Sequence, residues 1–538
     1  MTLRLIAFAG ILTALSACRK EPGPESEAET PSVSDLIKPA PGPMVPNTPD
    51  PALSAVQIHC SRCHALPDPA HLSRKLWVNM VLPEMGCYLG MHHPIPQYAP
   101  FIEKGTTQEE ATLIGNRGFY PPQPVISQQD WDLIVSYYLN NSPDKMPPSR
   151  NPSYPPLPKG KFGISFIGPA NSAPETTMLL IDPGRRQLVT SDAADKSLTI
   201  HNADGTVADH AKDLGIFTAA DLRQNAPNQH FVEIGTLTPN DIVNGSIWSK
   251  PSDAELSKLK QTTIPRLKRP VSAVWFDFDG DGSDEAVVAE YGNKTGQLSL
   301  FHQDDTGNWK REILNHMSGN VTVKHEDMNG DKLEDIIVLR AQESEDLLIY
   351  YNTGGLQFEA SHVLRFPPHW GSNDFDLADL NGDGLLDLLI ASGDNADNTP
   401  VLKNYHGIYL YLNDGKGGFR FKQHIPLHGA YGVRAADFDG DGDLDFVFFS
   451  TFPDFSRDQP SVGFSEQTSP MTFTTYAIPE STNSRWIVMD VGDLDGDGDT
   501  DVVLGPNIPN PAPVPQPVAE RARKLPGPFL FLENLRKP

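Results

Sequence analysis

Cys60-Ser61-Arg62-Cys63-His64 is a C-x-x-C-H pattern. Two thiols three positions apart can each bond a porphyrin vinyl group, and the adjoining imidazole then falls where iron needs a proximal ligand. The spacing predicts one covalent c-type haem on Cys60 and Cys63, with His64 on the iron. A closed zinc site would call for four ligands and a second cysteine pair, which is missing. The sixth iron position has several candidates. Met85, in Leu82-Pro83-Glu84-Met85-Gly86, lies 21 residues after His64, and Met80 and Met91 are close by. His92 and His93 offer a bis-histidine alternative. Thioether ligation raises the potential and suits electron transfer. Cys87 reads as a buried small thiol.

A second constellation recurs five times. Its first copy is Asp277, Asp279, Asp281, Ser283 and Glu285, at positions 1, 3, 5, 7 and 9 of one loop. The others are Asp327, Asn329, Asp331, Leu333 and Asp335; Asp379, Asn381, Asp383, Leu385 and Asp387; Asp437, Asp439, Asp441, Asp443 and Asp445; and Asp493, Asp495, Asp497, Asp499 and Asp501. Oxygen donors two residues apart can wrap a hard cation that takes six to eight oxygens, with position 7 lending its backbone carbonyl. About five calcium ions are expected, in a structural role. Position 6 is glycine in four copies and Lys332 in the second, which should weaken that site. An EF-hand would place a bidentate Glu at position 12 between helices. Here position 12 is Val288, Val338, Ile390, Phe448 or Leu504, and the flanks are β-rich.

Such loops must join strands. Their starts are 50, 52, 58 and 56 residues apart, a mean of 54, the period of a four-stranded propeller blade. Residues 160–538 span 379 positions, room for seven blades. Two must precede residue 277 without calcium loops, the first around 179–181, 188–189 and 198–200, the second around 231–234 and 246–248. Each full blade reads as strand A, acidic loop, strand B, strand C and strand D. The last stops after its C strand, 529–533, and 162–167 is expected to supply the missing outer strand and close the ring. The B–C and D–A connections are long and unusual, and they fall on the face away from the acidic loops. Trp370, Asn373, Asp394, Lys403, His406, Tyr431, Arg434, Arg485 and Trp486 could line a ligand site at that mouth. No Ser/His/Asp order, second metal spacing or dinucleotide glycine loop names a reaction.

Ahead of the propeller, residues 51–149 read as a small all-α domain. A helix is expected over 56–64, another over 72–85, and a last one after Ser127 as N-cap, with Trp131, Ile134, Val135 and Tyr138 as its apolar stripe. Residues 19–50 are rich in Pro, Glu and Ser and read as a disordered tether, reaching roughly 100 Å if extended as polyproline II. Residues 1–18 have the layout of a signal peptide, Arg4 then an apolar run from Leu5 to Leu15, too short to span a bilayer.

The 538 residues carry 43 Lys+Arg and 69 Asp+Glu, a net charge of −26. That balance argues against nucleic acid and anionic lipid and favours calcium and a basic partner. All four cysteines lie within the first 87 residues, so the remainder folds without disulfides.

Leu15-Ser16-Ala17-Cys18 resembles a bacterial lipobox, which implies lipidation of Cys18, and Arg19 after it implies the outer membrane of a Gram-negative cell. The segment from Cys60 to Gly90 resembles the haem segment of bacterial cytochromes c fused to FG-GAP/VCBS repeats, and the five acidic loops are similar to the calcium loops of integrin-like β-propellers. In that family a methionine before a glycine recurs, which ranks Met85 first as sixth ligand. The resemblance implies a multidomain lipoprotein, a monohaem cytochrome on a seven-bladed calcium propeller. The expected function is extracytoplasmic electron transfer to a redox partner protein, more an electron carrier than a stand-alone catalyst. Two alternatives are a haem-linked oxidoreductase with its substrate at the propeller mouth, and a surface module binding carbohydrate or protein with an ancillary haem.

Overall fold

The computed structural model describes residues 50–91, 108–118, 120–149, 153–223, 226–394, 401–510 and 514–535. The expected signal peptide, Cys18, the tether before Asp50, and His92 and His93 lie outside the described residues.

Helix α1, Pro51–Cys60, starts where Asp50 Oδ1 accepts from the Ala52 amide at 2.9 Å, with Pro51 at the first helical position. It ends at Cys60, four residues before the expected end. Ser61 Oγ donates back to the Gln57 carbonyl and Arg62 Nε to the Ile58 carbonyl, which satisfies the last turn and lets the chain break away before His64. The next helical run is α2, Arg74–Leu76, then a π turn over Trp77–Val81, then α3, Leu82–Tyr88. Pro83 has no N–H for the turn before it, and there the ladder widens. Helix α4 is Gln108–Arg117 and α5 is Gln128–Asn141. Ser127 caps α5, its Oγ accepting from the Asp130 amide at 3.0 Å. Trp131, Ile134 and Tyr138 of α5 pack with Ala55 and Val56 of α1, and with Leu72, Trp77 and Leu82, into one small core. Among the described residues no helix is long and apolar enough to cross a membrane.

Seven four-stranded antiparallel sheets follow. β1, Phe162–Ile167, belongs to the last of them. Blade 1 is β2–β5 (Thr176–Asp182, Gln187–Asp192, Ser197–Asn202, Val207–Ala211), and blade 2 is β6–β9 (Phe217–Asp221, Asn228–Glu233, Gly245–Pro251, Lys260–Leu267). Blade 3 is β10–β13 (Pro270–Phe276, Glu285–Glu290, Gln297–Gln303, Trp309–Asn315), and blade 4 is β14–β17 (Asn320–Glu326, Asp335–Ala341, Glu345–Asn352, Phe358–Arg365). Blade 5 is β18–β21 (Ser372–Ala378, Asp387–Ser392, Gly407–Asn413, Phe419–Pro426), and blade 6 is β22–β25 (Ala430–Ala436, Asp445–Ser450, Val462–Ser469, Thr472–Ala477). Blade 7 combines β26–β28 (Trp486–Gly492, Asp501–Pro506, Phe529–Asn534) with β1, in the order β1-β28-β27-β26. Phe162 pairs with Asn534 and Ile167 with Phe529, so the two ends of the propeller segment close the ring. The chain is a seven-bladed β-propeller, closed as its sequence anticipates.

Burial explains the strand composition. β11, β19, β23 and β27 are buried at every position because neighbouring blades cover both faces, so they read as continuous apolar runs. The fourth strands are the outer edges and are mostly exposed, as in β13. Every innermost strand slips register near its start, between Ser372 and Asp374 in blade 5 for example, a bulge that adds the twist a blade needs. The connection from β27 to β28 contains α6, Gln516–Ala522.

Candidate functional site

Two faces of the ring carry different chemistry. The A–B loops of blades 3 to 7 hold the acidic repeats. In the first, Asp277 Oδ1 accepts from the Gly280 and Asp281 amides at 2.8 and 3.0 Å, and its Oδ2 from Gly282 at 2.9 Å. Asp279 accepts from Asp281, and Asp281 from Ser283. The other four loops repeat this pattern, with the fourth and sixth residues at positive φ. Glycine fills those positions except at Lys332, held at φ 73°. The carboxylates of Asp277, Asp279 and Glu285 each bring an oxygen within 4.8 Å of the others, as do Asp437, Asp439 and Asp441, and Asp493, Asp495 and Asp497. In the second and third loops Asn329 and Asn381 replace the middle aspartate, and each donates to the next carboxylate at 3.0 Å.

The ninth position closes each loop from beneath. Glu285, Asp335, Asp387, Asp445 and Asp501 are all buried. Burial, then crowding by the other loop carboxylates, pushes Glu285 and Asp445 up to about 7 and Asp335, Asp387 and Asp501 to about 6. One oxygen of Asp387 and one of Asp445 is buried without a hydrogen-bond partner among the described residues. A buried carboxylate oxygen with nothing to bond fits a cation.

A residue set missed at the sequence level ties these loops together. Asn352 Nδ2 donates to the carbonyl of Phe278, in the loop of the preceding blade, at 2.8 Å, and Asn534 Nδ2 does the same to Phe438 at 2.7 Å. Blades 1 and 2 lack the repeat and use a guanidinium instead. Arg185 bonds Asp182 at 2.8 Å, and Arg223 forks onto Asp221 at 2.7 and 2.8 Å. Arg223 also reaches Asp284 of the first acidic loop at 2.9 Å.

The opposite face is covered by the helical unit. Cys60 and Cys63 are unpaired thiols, the first half-buried and the second exposed. Burial pushes Cys60 up to about 11 and draws His64 below its usual value. His64 Nδ1 lies 2.9 Å from the Ala65 carbonyl, which turns Nε2 away as the free nitrogen of the ring. Two unpaired thiols and an imidazole so oriented fit the donor set of a c-type haem. Met85 is half-buried in the same helical core as Cys60, Met91 is buried there, and Met80 is exposed. Tyr138 Oη donates to the Pro67 carbonyl and Trp77 Nε1 to that of Pro69, pinning the segment after the motif.

That segment is fastened to blades 4 and 5. Ser344 Oγ donates to the Cys63 carbonyl at 2.9 Å, and the Ala65 amide to the Phe366 carbonyl at 3.1 Å. His71 Nδ1 meets His369 Nε2 at 2.7 Å, and both rings pack on Tyr405. Arg117 bonds Glu343 at 2.6 Å, Glu110 accepts from the Asp241 amide, and Ser149 pairs with His428 at 2.8 Å. Every propeller partner here sits on a B–C or D–A connection.

The nine residues expected at this mouth lie on the inner strands and connections of blades 5 to 7. Trp370 stacks on Tyr409 at 4.4 Å inside the core. Trp486 is fully buried, its Nε1 donating to the Ser481 carbonyl, and Arg485 is buried on the carbonyls of Asn507 and Ile508. Asn373 bonds the Tyr431 carbonyl, and Tyr431 packs on Phe449. Arg434 pairs with Asp374 on the inner strands. Asp394 donates its amide to the Gly371 carbonyl. Lys403 and His406 are buried under the helical unit's side of blade 5, beside Tyr405 and His428. His71, His369, Tyr405 and Ser344 were not anticipated, because the partners across the seam lie hundreds of residues apart and no local spacing marks them.

Residues 327–390 and 393–448 match the FG-GAP-like repeat. No curated protein matches the chain. The matched stretches begin at the second acidic loop and run into β23, so the chain carries FG-GAP-like repeats on its seven-bladed propeller.

Proposed function

We propose that the protein is an exported, lipid-anchored electron-transfer protein, with one covalent haem c on Cys60 and Cys63 and a calcium-stabilised propeller that binds a partner or ligand. The observation that carries the reading is the Cys60–His64 turn, with two unpaired thiols at the end of α1 and one nitrogen of His64 oriented by the Ala65 carbonyl. A bound haem supplies one-electron cycling between Fe(II) and Fe(III). The chain's own work is to hold it. Cys60 and Cys63 would anchor it, His64 would ligate its iron, and Met85 is the first candidate for a second iron ligand. The FG-GAP-like repeats support a ligand-binding role for the propeller. Calcium in the five loops is supported by their clustered carboxylates and by the unpartnered oxygens of Asp387 and Asp445.

A second reading has an observation in its favour. The motif turn is hydrogen-bonded to Ser344 and Phe366, so its nearest protein neighbours are propeller loops. This suits a haem-linked oxidoreductase whose electrons pass between the propeller face and the haem. The test is expression in a host that matures c-type cytochromes. The denatured full-length chain should retain haem absorbance and Cys60→Ala should lose most of it; a wild-type chain without bound haem overturns the proposal. Partner capture with the reduced and the oxidised protein then separates the two readings, since a carrier should recover a redox protein in a state-dependent way.

A further inference from the structure

The seam between the helical unit and the propeller is closed by two imidazoles that share one hydrogen. His71 Nδ1 and His369 Nε2 are 2.7 Å apart, so one ring donates and the other must accept. An imidazolium has a hydrogen on both nitrogens and cannot accept. One of the two rings must therefore stay neutral for the bond to exist. Doubly protonated, the pair would place two hydrogens and two positive charges on the same short line. The bond sits among rings: the centroids of His71, His369 and Tyr405 are mutually 4.8 to 4.9 Å apart. His71 and Tyr405 are buried and His369 is half-buried, so water has little access to the pair while the seam is closed.

We propose that His71 and His369 form an acid-sensitive latch, which holds the Cys60–His64 turn against blades 4 and 5 at neutral pH and releases it on protonation. Most charged groups around the pair favour this direction. Among the described residues Asp68, on the helical unit's own segment, works against it by favouring a charge on His71. From the propeller, Lys403 and His406 bear on His369, and His64 does so from the helical side. Burial comes first for both rings and draws both below the ordinary histidine value, with His71 next in opposing a charge on His369. A group whose value falls on docking stabilises the docked state fully above its undocked value and loses that contribution as pH drops below it. The window therefore opens near pH ~6.5 and extends downward.

A second histidine contact across the seam lacks this property. His428 Nε2 faces Ser149 Oγ at 2.8 Å, and a hydroxyl accepts from an imidazolium as readily as it donates to an imidazole. The Arg117–Glu343 pair contains no imidazole. Acid thus loosens the seam at His71 and the motif, while the ends near Arg117 and Ser149 hold.

Hydrogen exchange at the Ala65 amide, which donates to Phe366, reads the latch directly in the full-length protein with calcium present, and it needs no cofactor. After correction for intrinsic rates, protection should fall at least roughly thirtyfold between pH 7.5 and pH 5, the effect of one proton taken up on opening, and further if both rings charge. The Val288 amide within β11 serves as the propeller reference and should hold. His369→Gln keeps a neutral donor and acceptor, and it should flatten the profile. Equal protection at Ala65 at the two pH values overturns the latch, as does a parallel fall at Val288, which would mean general acid unfolding. A His369→Gln profile as steep as wild type overturns it too. Should His369→Gln fail to dock at pH 7.5, the wild-type comparison of Ala65 with Val288 decides alone. Loss of the haem reading would leave all these readouts intact.

Discussion

Lys332 sits at φ 73°, where the four equivalent loops have glycine. A left-handed conformation costs a residue with a Cβ about 1–2 kcal/mol, part of which glycine returns through its freer unfolded chain. Lys332→Gly should stabilise the protein by about 0.5–1 kcal/mol in calcium, read by chemical denaturation, and should tighten calcium at the second loop by isothermal titration. The ninth-position carboxylates make a sharper prediction. Without a cation their values are raised on folding, so they stabilise the propeller below about pH 4 and lose that contribution as pH rises through about 6 to 7. In chelator, the β-sheet melting temperature should be higher at pH 5 than at pH 7.5. In calcium the carboxylates must ionise to bind, and the order should reverse; a calcium-independent pH profile would count against metal in the loops. Ligand positions were legible in the sequence because a cation site built on one loop leaves a spacing of two along the chain. The latch was not, since His71 and His369 become neighbours only when two units dock.

At the scale of elements, closure of the ring rests on β1. Phe162 is 8% exposed and meets Phe438 and Phe464 edge-on at 5.9 and 5.4 Å, so a strand from before the propeller's first blade fills the core between blades 6 and 7. Phe162→Ala should cost about 3–4 kcal/mol, measured as a shift in denaturation midpoint, with exchange rising first at β28. The blades were readable because their second strands are buried on both faces and leave dense apolar runs. Helix ends were less so. The expected helix over 56–64 stops at Cys60 because Ser61 and Arg62 satisfy its last carbonyls. The connection carrying α6 lacked a sequence signal strong enough to separate it from a proline-rich loop.

For the molecule as a whole, five divalent ions would carry the net charge from −26 to −16. Removing them leaves buried carboxylates facing one another in five adjacent blades, linked by Asn352 and Asn534 to their neighbours' loops. Chelation should therefore lower the melting temperature of the full chain markedly in differential scanning calorimetry, and no shift would mean the loops are filled by no ion. The nine residues expected at the propeller mouth show the limit of reading at this scale. Loop length and composition single out the B–C and D–A connections, yet give no sign that the chain's own N-terminal unit docks on them.

The segment between that unit and the ring has a mechanical consequence. Leu157 donates to the Ala477 carbonyl and Ala477 to the Pro155 carbonyl, while Tyr154 bonds the carbonyl of Pro426. Those clamps lie just upstream of β1, the strand that closes the ring. Tension entering from the N-terminus reaches blades 5 and 6 through this strip before it reaches β1 and β28. A protein held by its N-terminus in flowing fluid would thus strain its seam and then its linker clamps, and keep its ring shut.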